Sequence, residues 1–203
     1  MKLLLVILLA FTCICPSFGQ TDSTAVQELL AYQQELNEAY KDPEKSPLPP
    51  EKLTQFSGHT FFEIDLAYRV QARFKRTAQE PVFKMQTSTD RLPEYVKYGE
   101  LTFELHGQTH ILNIYQNLAL RKTEQYRNHL FLPFTDQTNG HTTYGGGRYL
   151  DLTIPEGETM LLDFNKAYNP YCAYAAGYSC PIPPKENNLA VAIPAGIRFD
   201  DKK

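Results

Sequence analysis

One segment with hairpin character, residues 100–116, most limits the fold that this chain can adopt. Its sequence is ELTFELHGQTHILNIYQ, in which apolar residues alternate with polar ones on either side of a Gly-Gln pair. The residues that carry this pattern are Leu101, Phe103 and Leu105, the turn pair Gly107 and Gln108, and then Ile111, Leu112 and Ile114. Because side chains alternate between faces along a strand, the segment predicts two antiparallel strands joined by a tight turn.

Strand-like patterns also dominate the rest of the chain after residue 60. The clearest has an inward set of Tyr68, Val70, Ala72 and Phe74. Similar patterns occupy residues 81–89, 129–134, 148–154, 159–164 and 189–194, with the sequence PEGE at 155–158 as a tight turn. Short strands separated by turns predict a mainly β fold, an antiparallel β-sandwich or partly closed barrel of seven to eight strands.

An amphipathic helix is expected ahead of the strands. Between Asp22 and Asp42 apolar residues recur at helical spacing, and Asp22 or Ser23 is suited to cap the helix start. Four prolines follow closely and end the pattern. We therefore expect an N-terminal helix within residues 20–45, packed on a single β-rich domain at residues 46–203.

The first 19 residues have the pattern of a secretory signal peptide. One cation, Lys2, precedes an apolar run of 13 residues, Leu3–Cys15, whereas a membrane-spanning helix needs about 20. We predict cleavage after Gly19 and export of the mature chain to the periplasm or the extracellular space.

Loss of residues 1–19 would leave Cys172 and Cys180 as the cysteines of the mature chain. In an oxidising compartment a disulfide is the first expectation for such a pair, and free thiols are the alternative.

The mature chain would have a net charge of −4, from 19 Lys and Arg against 23 Asp and Glu. This balance argues against nucleic acid as a partner and, after signal cleavage, against an anionic membrane. No cofactor or metal is predicted.

A polar group on two of the predicted strands is the first candidate site. Asp163 and Asn165 lie two residues apart in LLDFN, so a strand would direct both to one face. Arg148 starts the segment that the turn at 155–157 would join to this one as a hairpin. The three side chains could then floor a ligand pocket, with Arg148 binding a carboxylate or phosphate. The alternative is a buried Arg–Asp pair that fixes the hairpin.

A second candidate is His141, in the loop TDQTNGHTTYGGG. Asp136 precedes it by five residues, and the two could form an acid–base or metal pair on a loop held by strands. The loop is rich in turn-forming residues, so a solvated histidine is the alternative.

The segment between residues 168 and 187 is rich in Tyr, Asn and Pro. Its ligand candidates are Tyr168, Asn169, Glu186 and Asn187, whose donors and acceptors among apolar groups suit a sugar or an organic acid. The same residue types also form turns and cap their own backbone, so a structural role is the alternative.

Residues 130–196 resemble a known family. The motifs that carry the resemblance are LFLPFTDQTNGHTTYGGGRYLDL, LDFNKAYNPYCAY and CPIPPKENNLAVAIPAG, and they are similar to the family named Domain of Unknown Function 1684 (DUF1684). The resemblance implies a mainly β domain with no established activity. The chain departs from the family pattern at Ile197, where an acidic residue usually follows Ala-Gly.

Three functions are consistent with these patterns. The leading hypothesis is an exported protein that binds a small polar molecule near Arg148, Asp163 and Asn165. The alternative is a hydrolase that uses Asp163 or His141 as its acid or base, although the common hydrolase motifs are absent from the sequence. The third is a cell-envelope scaffold or interaction protein.

Overall fold

A computed structural model describes residues 18–199, with side chains from Asp22 onward. The chain forms an N-terminal helix and a seven-stranded antiparallel sheet that curls into a half-barrel. The elements are α1 (Phe18–Lys41), α2 (Pro50–Leu53), β1 (Arg69–Arg76), β2 (Val82–Lys84), β3 (Glu94–Leu105), β4 (Gln108–Asn117), β5 (His129–Phe134), β6 (Arg148–Thr153) and β7 (Thr159–Asp163). The mainly β prediction is confirmed, in its partly closed form and with one long N-terminal helix.

The order of the strands explains the curl. The sheet runs β6-β5-β4-β3-β1-β7, and β2 pairs with the first part of β3. β6 and β7 lie at opposite ends of this order, yet only residues 154–158 connect them. Such a link spans roughly 20 Å at full extension, so the two ends of the sheet must approach each other. The predicted β6–β7 hairpin is therefore wrong, because β6 pairs with β5 and β7 pairs with β1.

The hairpin predicted from residues 100–116 is confirmed as β3 and β4, with its turn one residue earlier than expected. Leu105 lies opposite Gln108, which leaves His106 and Gly107 as the turn residues. Both have positive φ, 52° for His106 and 74° for Gly107. A two-residue turn with this backbone matches the twist of the strands that it joins.

The predicted strand at residues 189–194 is wrong. Asn188 forms a parallel bridge with Thr135 and Gln137 N donates to the Val191 carbonyl, but bends at Ala190 and Val191 take the place of a strand. The carbonyl of Ile193 accepts a hydrogen bond from the side chain of Arg148. In a strand this carbonyl would accept from the backbone N–H of a neighbouring strand. The apolar pattern reflects burial of Leu189 and Ile193 in the core instead.

The sheet is covered on both faces near β5. The main core lies on one face and includes Leu101, Phe103, Leu112, Ile114, Leu130, Leu132, Phe134, Leu150 and Leu162. A smaller cluster lies on the second face and consists of Met85, Tyr95, Tyr115, Phe131 and Tyr149. Strand β5 is consequently apolar almost throughout, as expected for a strand buried on both faces.

Helix α1 is tied to the sheet by polar contacts as well as by burial of Leu29 and Tyr40. Glu28 Oε2 lies 3.0 Å from Nη2 of Arg69 on β1, and the hydroxyl of Tyr32 donates to a backbone carbonyl beyond β7. Asp22 lies inside the helix, so the predicted caps, Asp22 or Ser23, are wrong.

Within the described range, no helix is long and apolar enough to cross a membrane. The predicted signal peptide lies outside the described residues, apart from its last two.

Candidate ligand-binding cleft

A cavity of about 650 Å³ lies between α1, the second face of the sheet at β5 and β6, and residues 168–181. We call it the aromatic cleft. The ring-bearing residues of its lining are Tyr32, Tyr40, Tyr95, His129, Phe131, Tyr149, Tyr168, Tyr171 and Tyr178. Its lining also includes one carboxylate, Asp151, and one lysine, Lys45.

Strands β5 and β6 supply the floor of the cleft through their alternating side chains. His129 and Phe131 face the cleft from β5, and Tyr149 and Asp151 face it from β6, whereas Leu130 faces the main core. Phe131 lies opposite Asp151 in the antiparallel register, so the two side chains share one face. The floor thus combines aromatic rings with one carboxylate.

The carboxylate of Asp151 is held at both oxygens. Oδ1 lies 2.8 Å from Nε2 of His129, which is its diagonal neighbour across the β5–β6 pair. Oδ2 accepts a hydrogen bond of 2.8 Å from the hydroxyl of Tyr168. The Asp151 side chain is still 52% exposed, so a carboxylate of fixed orientation remains open to the cleft.

Tyr168 reaches Asp151 because the chain returns to the edge of β6 after β7. The backbone of Tyr168 forms two hydrogen bonds with Tyr149, N to O at 2.9 Å and 3.0 Å, which places the two residues opposite each other. Asp151 lies two positions further along β6 and on the same face. Burial raises the pKa of Tyr168 well above its ordinary value, and the Asp151 carboxylate raises it further, so the phenol stays a donor at neutral pH.

Arg148, predicted to floor the pocket, is fully buried in the main core instead. Its Nη2 lies 2.8 Å from Oδ2 of Asp136 and donates to the carbonyl of Ile193. Its Nη1 donates to the carbonyl of Ala195. The predicted buried pair of Arg148 and Asp163 is wrong as well, because Arg148 pairs with Asp136 and Asp163 pairs with Arg69. The pair joins β6 to the loop after β5 and to the C-terminal segment.

Asp163 and Asn165 do lie together, but they serve the local structure. Asn165 is in a 3₁₀ turn, Phe164–Lys166, and not on the strand. The carboxylate of Asp163 accepts hydrogen bonds from the backbone N and the side chain of Asn165, and it pairs with Arg69 at 2.9 Å. The Asn165 amide in turn bonds the backbone N and O of Asp65. Both residues are buried and neither lines the aromatic cleft.

The predicted pair of His141 and Asp136 does not form. His141 is exposed on its loop, whereas Asp136 is buried against Arg148 and accepts from Thr138. Among the described residues, no group of three or more His, Cys, Asp or Glu could hold a metal ion.

The segment from 168 to 187 divides between the cleft and the core. Tyr168 lines the cleft. Asn169 is fully buried behind it, where its amide donates to the hydroxyl of Tyr174. Asn187 is also fully buried, and it bonds backbone groups of β4 and β5. Glu186 is exposed and lies outside the cleft lining.

Cys172 and Cys180 form a disulfide with their Cα atoms 6.3 Å apart, which confirms the predicted bond. The bond closes a loop of the wall that carries Tyr171 and Tyr178. Ser88 lies 3.3 Å from Sγ of Cys172 and donates to the carbonyl of Tyr178. The disulfide therefore holds one wall of the aromatic cleft against the segment after β2.

The cleft residues that sequence patterns missed include His129, Tyr149, Asp151 and Tyr32. The signal that could have found the first three is the alternation of β5 and β6, in which polar and aromatic side chains occupy the face opposite to Leu130 and its neighbours. Tyr32 carries no comparable signal, because helical periodicity alone does not distinguish a residue that lines a cavity from one that packs in a core.

Comparison with known proteins gives a family and a structural neighbour. The model of a family described as "Protein of unknown function (DUF1684)" matches residues 54–198. The fold is similar to the solution NMR structure of an uncharacterized protein of Haloarcula marismortui, with 34% sequence identity and a TM-score of 0.72. That match covers 92% of this chain and 100% of the other. No curated protein matches the chain.

Proposed function

The chain belongs to the family of unknown function DUF1684, and we propose that it is an exported protein that binds a small polar ligand in the aromatic cleft. The observation that carries the proposal is the Asp151 carboxylate, which His129 and Tyr168 orient while half of its surface stays exposed. A polar group of fixed orientation inside an aromatic cavity is typical of a site that recognises a ligand.

The size and lining of the cleft support the same function. A volume of about 650 Å³ falls within the range of about 300–1,000 Å³ that small-molecule sites have. The sequence hypothesis placed the ligand near Arg148, Asp163 and Asn165, and of its residues the proposal keeps Tyr168. The hydrolase hypothesis used Asp163 and His141, which are respectively buried in an ion pair and exposed on a loop. Ligand binding is thus the function that the geometry supports best.

Asp151→Asn is expected to weaken ligand binding at least tenfold, because the amide keeps the shape of the side chain but removes its charge. The ligand would first be found by a thermal-shift screen of sugars, organic acids and organic amines, and its Kd then measured by calorimetry. Bound ligand raises Tm through mass action. Glu186→Gln is the matched control, since it neutralises an exposed carboxylate outside the cleft and should leave Kd unchanged. A screen without any hit, or a hit with equal Kd in Asp151→Asn, would contradict the proposal.

Export is supported by the apolar run at Leu3–Cys15 and by the Cys172–Cys180 disulfide, since such bonds persist in oxidising compartments. We expect the protein recovered from the exported fraction of producing cells to begin at Gln20, with both cysteines oxidised. Intact mass spectrometry with and without a thiol-alkylating reagent measures both properties. A chain that retains Met1 and accumulates in the cytoplasm would contradict this expectation.

A further inference from the structure

We propose that the ligand of the aromatic cleft is a small organic cation of the quaternary or fully methylated ammonium class. This inference rests on the proposed function and specifies its ligand. Three features of the cleft carry it, namely the aromatic rings of its lining, the position of the charges and the shortage of free hydrogen-bonding groups.

The rings of the cleft offer a ligand their aromatic atoms rather than their hydroxyls, because several of the hydroxyls are already bonded to the protein. The hydroxyl of Tyr149 donates to the carbonyl of Pro181, that of Tyr32 to the carbonyl of Lys166 at 2.9 Å, and that of Tyr168 to Asp151. What these residues offer a ligand is the π surface. A ring face is negative and attracts a cation that lies within about 6 Å of the centroid.

Neighbouring rings of the lining also have planes that are close to perpendicular to one another. Phe131 and Tyr149 have centroids 4.7 Å apart and planes at 74°. Tyr149 and Tyr168 lie 5.8 Å apart at 88°. On the disulfide-bonded wall, Tyr171 and Tyr178 lie 5.2 Å apart at 67°. The ring planes of the lining therefore have several orientations, which suits a compact cation that can contact more than one ring at once.

The charges of the cleft favour a cation in the same place. Asp151 is its carboxylate, and the lysine of its lining, Lys45, pairs with Asp42 at 3.1 Å and has a side chain 71% exposed. The carboxylate thus lies on the floor, where His129 contacts one of its two oxygens, while the lysine lies at the rim. Burial raises the pKa of Tyr171, and the neighbouring Tyr178 and the Asp151 carboxylate add to it, which is consistent with a negative potential inside.

Other polar ligands fit the cleft less well. An organic acid needs a cation beside it, but the lysine of the lining, Lys45, is paired with Asp42, and His129 already contacts Asp151. A sugar needs many donors and acceptors, and the hydroxyls of Tyr32, Tyr149 and Tyr168 are engaged. A quaternary ammonium group has a positive charge and no N–H, so it needs no acceptor beyond the charge of Asp151.

Titration calorimetry with choline and with its neutral isostere 3,3-dimethyl-1-butanol tests the proposal. We expect choline to bind at least tenfold more tightly than the isostere, because only the charge differs. Tyr171→Leu should weaken choline binding severalfold, whereas Tyr171→Phe, which keeps the ring, should leave it unchanged. Tyr171 is 44% exposed, so both variants should fold. Asp151→Asn should also weaken choline binding at least tenfold.

The outcomes separate this proposal from the one on which it rests. Equal affinity for choline and the isostere would overturn the cation proposal. A sugar or organic acid that binds in an Asp151-dependent manner, in a protein that does not bind choline or tetramethylammonium, would overturn it and leave the proposed function standing. If no compound of any class binds, both proposals fail.

Discussion

Arg148→Met is expected to lower the free energy of unfolding by about 3–5 kcal/mol, because it leaves the Asp136 carboxylate buried without its cation. Neither side chain of this pair is exposed to solvent. The variant also removes the donors to the carbonyls of Ile193 and Ala195, so the C-terminal segment loses its attachment to β6. Urea unfolding followed by circular dichroism measures the loss.

A double variant separates the charge from the lost contacts. Asp136→Asn in the Arg148→Met background removes the buried charge, while the amide oxygen can still accept from the backbone N of Thr138 and of Ile193. We expect the free energy of unfolding of the double variant to be at least about 1 kcal/mol higher than that of Arg148→Met, because the effects of mutations at contacting residues do not add.

The control for a surface pair is Arg127→Met. Arg127 pairs with Glu124 in solvent, and an exposed pair of this kind contributes about 1 kcal/mol at most. A loss below about 1 kcal/mol for Arg148→Met would contradict the role of the buried pair.

Strand positions were predictable because they depend on local patterns, whereas strand partners were not. The alternation at Tyr68–Phe74 and at residues 100–116 identified β1, β4 and the second half of β3. Closeness in sequence favoured a β6–β7 hairpin, but the paired neighbours of these strands come from other parts of the chain, β5 and β1. Which edges meet depends on the curl of the whole sheet, and a single segment carries no signal for it.

The same distinction between local patterns and distant partners explains which residues of the candidate site could be predicted. Arg148 and Asp163 were predicted to floor one pocket or to pair with each other, but each pairs with another residue, Asp136 and Arg69 respectively. Tyr168, predicted to bind a ligand from its polar and aromatic segment, lines the aromatic cleft, and its role there stays a prediction. Asp151 was missed, because its significance depends on His129 and Tyr168, which only the folded sheet brings to it.

A histidine next to the cleft leads to a second large expected effect. His59 lies among Tyr40, Phe56, Phe61 and Tyr174, with ring centroids 4.3–6.0 Å from its own. Within the described part of the chain its Nε2 has no hydrogen-bond partner, and its Nδ1 is 3.4 Å from the hydroxyl of Tyr174. Burial lowers the pKa of His59 from 6.5 to about 4.

This lowered pKa makes the protein less stable in acid. As the pH falls below about 6.5, His59 of the unfolded chain becomes protonated. In the folded chain His59 stays neutral until the pH reaches about 4. Stability contributed by the neutral imidazole is therefore complete above pH 6.5 and is lost as the pH falls to 4. A difference of this size between the folded and unfolded pKa of His59 lowers the free energy of unfolding by about 3 kcal/mol in acid.

His59→Phe is expected to remove this component, because a phenyl ring keeps the aromatic contacts and does not titrate. Between pH 7 and pH 4 the wild type should lose about 3 kcal/mol more than the variant, measured by urea unfolding at each pH. Carboxylates titrate over part of this range in both proteins, so their contribution cancels in the comparison. His141→Gln is the matched control, since His141 is exposed and its loss should leave the wild-type pH dependence intact. Equal losses in the wild type and His59→Phe would show that His59 is not the group responsible, and that the aromatic cluster beside Tyr40 and Tyr174 tolerates a charged imidazole.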